Sequence, residues 1–76
     1  MADEKLLIFG NHLRGLRLAR GITQEVLAER AGLHPTYIGG VERGERNLGL
    51  SNLFKLAAAL DVWPSALLVV FDEGEG

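Results

Sequence analysis

Within "PTYIGGVER", residues 35–43, Thr36, Gly40 and Arg43 fall at i, i+4 and i+7. On a helix that spacing sets them on one side, opposite Ile38 and Val41. Thr36 can donate to or accept from a base edge, or touch a thymine methyl group. Pro35 and Tyr37 flank it at the end that would enter a major groove first. Tyr37 carries a hydroxyl on a rigid arm, suited to a base or a phosphate, and equally to half-buried support of the turn. Gly40 has no side chain to hold the helix away from bases, and Gly39, one position round, falls near the groove wall. Two adjacent helical glycines cost roughly 2 kcal/mol, which reads as an exchange for groove fit. Packing of Gly39 against another helix is the alternative.

The same residues offer little to catalysis. There is no nucleophile–base pair, no phosphate-binding glycine loop and no paired-carboxylate motif, so no enzyme is expected. The chain has no cysteine and two histidines, His12 and His34, which leaves no metal-ligand cluster and no disulfide. His34 either caps the helix that Pro35 starts or contacts a phosphate. No cofactor or small-molecule ligand is implied.

Charge favours a polyanionic partner locally rather than globally. The net charge is −2, but all eight basic residues lie between Lys5 and Lys55 with only four acids among them. That stretch is basic, and the remaining six acids lie outside it. An ordinary solvated surface with charged tails fits the same numbers. No apolar run approaches a membrane span, and no signal-peptide pattern opens the chain, so a cytoplasmic protein is expected.

Five helices must position these groups. Leu6, Phe9, Leu13 and Leu16 mark a first helix over about Lys5 to Arg20. Thr23 caps a second that runs to about Ala31, with Gln24 and Glu25 in its first turn and Gly32 closing it. Pro35 starts a third, which stops at Gly44. Leu50, Leu53, Leu56, Ala57 and Leu60 mark a fourth, and Pro64, Leu67, Leu68 and Phe71 a short fifth. "LLVVF" (67–71) also has strand-forming residues, but Pro64 and the helical context favour a helix over 64–71. The expectation is one all-α domain over 1–76, a compact five-helix bundle with a central helix-turn-helix at about 23–43. Ala28 is small at the helix crossing, Ala31 and Gly32 make the turn, Leu33 plugs it, and Ile38 and Val41 anchor the exposed helix. A purely structural helical hairpin needs several of the same features. Filling all of them favours DNA binding.

The run "RLARGITQEVLAERAGLHPTYIGGVERGERNLGLSNLFKLAAAL" resembles the Cro/repressor type of helix-turn-helix regulator, the XRE family, over roughly residues 8–68. "TYIGGVERGERN" is especially similar to controller proteins of restriction–modification systems. The resemblance implies a phage-repressor-type DNA-binding fold and a homodimer on a near-palindromic double-stranded operator. It implies a transcriptional regulator, with a phage or plasmid repressor or an antitoxin-like interaction module as alternatives. It also implies that Gln24 binds a backbone phosphate, that Arg17 and Glu42 form a partly buried structural ion pair, and that Arg43, Arg46 and Asn47 form a phosphate-contacting loop. Three positions depart from the family pattern. Pro35 stands where a basic base-reader is common, Asp61 where glycine follows the fourth helix, and Trp63 where a small cap is usual.

The C-terminal stretch points to a second copy of the chain. Trp63, Leu67, Leu68, Val69, Val70 and Phe71 crowd nine residues, more apolar surface than one stripe of a short helix can bury. A dimer interface is expected there, with Asp72, Glu73 and Glu75 at its rim.

Overall fold

In the computed structural model, which describes residues 3–72, the first three helices each open on a side-chain cap. The Asp3 carboxylate accepts from the Lys5 amide at 2.8 Å and opens α1, Glu4–Ala19. Thr23 Oγ1 accepts from the Val26 amide at 3.1 Å and opens α2, Gln24–Ala31. Gly32 ends that helix at φ 70°, a left-handed conformation that a side chain would strain. α3 spans Pro35–Glu42, with proline in its first turn, and α4 spans Leu50–Leu60. α5 covers Pro64–Leu68 and gives way to a 3₁₀ turn at Val69–Phe71.

That last change differs from the single helix expected over 64–71. Val69 and Val70 are adjacent β-branched residues, which lose side-chain freedom in an α-helix, and a terminal turn readily tightens to 3₁₀ geometry. The strand alternative for residues 67–71 is not what forms. Among the described residues there are five α-helices and no strand.

The core gathers one stripe from every helix. Leu13, Leu27, Ile38, Leu56, Leu60 and Leu67 are fully buried. Ala28 is buried at the α2 crossing, and Leu33 packs partly buried beneath the turn. α1 crosses the C-terminal end of α3 so closely that a β-carbon on Gly10 would stand 2.5 Å from the Glu42 carbonyl oxygen. Only glycine fits that crossing. At the far end, Asp61 takes the left-handed C-cap of α4 at φ 58°. Arg20 Nε donates to the Leu60 carbonyl at 2.8 Å and satisfies one of the acceptors the helix end leaves open. Among the described residues no single helix is long and apolar enough to cross a membrane.

Candidate nucleic-acid interface

α2 and α3 are joined by three residues, 32–34, and the turn is tied at both ends. The Leu33 amide donates to the Ala28 carbonyl at 2.9 Å, and His34 Nδ1 accepts from the Thr36 amide at 3.1 Å. Of the two roles open to His34, the structure displays the cap. Ile38 and Val41 are buried beneath α3, and Thr36 and Arg43 are exposed on its outer side. Pro35 is half-buried at the tip. Arg43 Nε pairs with Glu45 at 3.1 Å, with both side chains more than half exposed, so the pair is screened and easily exchanged for another anion.

The orientation of α3 is set by a polar junction beneath it. Arg17 Nε donates to Glu42 Oε2 at 2.7 Å and Nη2 to Oε1 at 3.0 Å, a bidentate pair between α1 and α3. Arg17 Nη1 donates to the Ile22 carbonyl at 2.9 Å, and Gln24 Nε2 donates to Glu42 Oε1 at 3.0 Å. Three helices therefore converge on one carboxylate. The side chains of Arg17 and Glu42 are only 9% and 2% exposed. The hydrogen bond to Glu42 raises the Arg17 pKa above its ordinary value, burial pulls it down, and the charges of Glu42 and Glu25 raise it again. The guanidinium stays charged at any physiological pH.

The two glycines of α3 are both buried. Gly40 is buried, and a β-carbon there would stand 2.5 Å from Arg46 Cγ. Its open side is covered by the stem of Arg46, so in the free chain Gly40 accommodates that side chain and is not bare to solvent. Gly39 lies against the side chains of Arg43 and, from α2, Gln24, in line with the helix-packing alternative. A β-carbon there would be 3.1 Å from Arg43 Nη1 and 3.3 Å from Gln24 Oε1. Periodicity placed Gly40 on the right side of the helix but could not show that a loop residue six positions later folds back over it.

Tyr37 is half-buried and occupied within the molecule. Its hydroxyl donates to the Asn47 carbonyl at 3.0 Å and accepts from Asn52 Nδ2 at 3.2 Å. This is the supporting role, the second of the two open to it. Arg46 lies with its guanidinium carbon 5.4 Å from the Tyr37 ring centroid, a cation–π arrangement. Asn47 Oδ1 accepts from the Leu48 amide at 2.7 Å. The fold thus brings Gln24, Thr36, Arg43, Arg46 and Asn47 to the α2–α3 side. Asn52 was missed in sequence because it sits inside the apolar periodicity of α4, where a lone asparagine carries no motif.

At the opposite end the apolar patch divides. Leu67 is fully buried in the chain's own core and is withdrawn from the expected partner surface. Phe71 is half-buried against that core, and Val70 is half-buried. Trp63, Leu68 and Val69 remain exposed at 81%, 47% and 51%. Sequence reasoning also missed Leu50 and Phe54 of α4, which are exposed as well. Leu50, Leu68 and Phe71 line one apolar groove of about 430 Å³. Of the acids expected at the rim, Asp72 is exposed, and Glu73 and Glu75 lie outside the described residues.

The helix-turn-helix family model HTH_3 matches residues 13–66, most of the chain and all of the reading face just described. The chain belongs to the helix-turn-helix family. This regulator is 44% identical over 69 residues to the control protein C.BamHI of Bacillus amyloliquefaciens, an overlap of 90% of this chain and 85% of that protein. It is 49% identical over 61 residues to the control protein C.SmaI of Serratia marcescens, covering 80% and 73% of the two chains. Its fold matches the crystal structure of the restriction–modification controller protein C.AhdI from Aeromonas hydrophila with a TM-score of 0.84 at 52% identity. That match covers 86% of this chain and 98% of the other. Family and fold together make this protein an all-α, DNA-binding transcriptional regulator.

Proposed function

We propose that this regulator binds a near-palindromic DNA operator as a two-fold dimer and controls the genes of a restriction–modification system. The observation that carries the DNA half of this reading is the exposed Thr36 at the leading end of α3, with buried Ile38 and Val41 behind it. Gln24, Arg43, Arg46 and Asn47 lie farther along the α2–α3 side and supply the phosphate contacts that set register without reading sequence. Pro35 has no donor, so bidentate recognition of guanine is not available at that point, and Thr36 carries direct readout. The similarity to control proteins supports the operon assignment.

The dimer half rests on exposed Leu68 and Val69, with Trp63 nearby in sequence. A closed two-fold arrangement sets two recognition helices about 34 Å apart, one turn of DNA. An operator selected from a random duplex library tests both halves, because it should emerge as an inverted repeat. Thr36→Ala should then weaken binding to the selected site by about 1–3 kcal/mol and to random DNA hardly at all. Equal losses on both would make Thr36 a positioning contact and remove it as the reader.

A further inference from the structure

The segment between α3 and α4 carries three of the proposed phosphate ligands, yet Glu45, Arg46 and Asn47 are exposed. A loop in that condition would have to be ordered at the moment of binding, and that ordering subtracts directly from affinity. In this molecule it is already tethered, and the tether begins on α4. Asn52 Nδ2 donates to the Tyr37 hydroxyl at 3.2 Å. The hydroxyl's own proton goes to the Asn47 carbonyl at 3.0 Å, so its oxygen needs a donor and Asn52 provides one. Arg46, the neighbour of Asn47, lies over the same ring at 5.4 Å, and its stem occupies the space that Gly40 leaves free.

The origin of this relay is rigid. Asn52 is half-buried on α4 next to Leu53, a core residue, so its backbone is fixed by the packing of that helix. The order of the loop is therefore transmitted from α4, an element outside the helix-turn-helix. We propose that Asn52 is a positioning residue for DNA binding, holding Tyr37 and through it Arg46 and Asn47 in the arrangement that meets the phosphate backbone. This rests on the reading that Arg46 contacts phosphate. By the same geometry, a side chain at Gly40 would displace the Arg46 stem rather than merely stiffen α3.

The test uses the full chain and a fluorescein-labelled random-sequence duplex, with binding read by anisotropy across a salt series. Asn52→Ala should weaken binding roughly 2- to 10-fold, the range of one net hydrogen bond, and Tyr37→Phe should do the same without adding to it. Asn52→Leu, which keeps the side-chain volume, should repeat the result if alanine perturbs packing. In an Arg46→Ala background the Asn52 substitution should have a clearly smaller effect, the remainder being the part that acts through Asn47. Amide exchange at residues 46–48 of the free protein should also accelerate in Asn52→Ala, which a loss of DNA charge contacts alone would not cause. If Arg46→Ala weakens binding but Asn52→Ala and Asn52→Leu do not, or weaken it equally in both backgrounds, the relay is overturned and the DNA reading survives. If Arg46→Ala leaves both affinity and salt slope unchanged, the phosphate reading of Arg46 is the part that fails, and with it the action of the relay through Arg46.

Discussion

The junction of α1 with α3 and the α4–α5 end solve the same problem by opposite means. At the junction, helices meet through backbone contact at Gly10 and through a buried ion pair, Arg17 with Glu42, whose hydrogen bonds are all made within the chain. At the α4–α5 end, packing is mainly apolar, the polar ties are hydrogen bonds from Arg20 and His12 to backbone carbonyls, and Leu68 and Val69 are left facing solvent. An ion pair with two hydrogen bonds has one good geometry, whereas an apolar contact tolerates many. The first arrangement suits a helix whose angle decides what it reads. The second suits a surface that another chain completes. Precision is invested in the reading end and adhesiveness in the other.

The sharpest way to break this contrast is to remove one partner of the buried pair. Arg17→Ala strands Glu42 and leaves Gln24 as its only remaining side-chain donor. Urea denaturation should show a loss of about 3–5 kcal/mol, the cost of an uncompensated buried charge. The apolar double variant Arg17→Met/Glu42→Leu should recover most of that stability while impairing DNA binding. If it binds normally, the pair is not what orients α3.

The other end should behave differently. Leu68→Asp/Val69→Asp places charge on the exposed patch and should cost self-association about 2 kcal/mol or more, as at an interface hot spot. Analytical ultracentrifugation at micromolar concentration should report a monomer whose melting temperature in dilute solution is little changed. A variant that remains dimeric would move the interface elsewhere, with Leu50 and Phe54 of α4 as the next surface to probe.

Two glycines of α1 sharpen the comparison within one helix. Gly10→Ala drives a β-carbon into the α3 backbone and should destabilise by about 1–3 kcal/mol, with more if α3 cannot shift. Gly15 has nothing within 4 Å of where a β-carbon would sit, so Gly15→Ala should stabilise by about 1 kcal/mol through helix propensity. Thermal denaturation of the pair measures the tightness of the α1–α3 seam against an internal control.

The smallest effect is expected at Asp61. Its φ of 58° is left-handed, and its carboxylate sits at the negative end of the α4 dipole. Asp61→Gly removes both penalties and should raise stability by up to about 1 kcal/mol, since Arg20 bonds to backbone carbonyls that the change leaves in place. A loss of stability would mean that the Asp61 side chain makes a contribution beyond its backbone geometry.

Much of this molecule was legible before folding because its signals are local. Caps at Thr23 and Pro35, the turn at Gly32 and the apolar spacing of Leu27, Ile38 and Val41 act within a few residues, so chain order alone identifies the helices and the helix-turn-helix. Arg17 and Glu42, 25 positions apart, came only through the family resemblance; nothing in their spacing pairs them. The sequence by itself determined which elements form and which chemistry they carry. Tertiary structure alone decided which stripe of each helix meets its neighbours. Leu67 and Leu68 are the same residue type in adjacent positions, and the 100° turn between them places one in the core and the other in solvent. Gly40 is closed over by Arg46 for the same reason, because a loop that reverses direction brings together atoms that no periodicity relates.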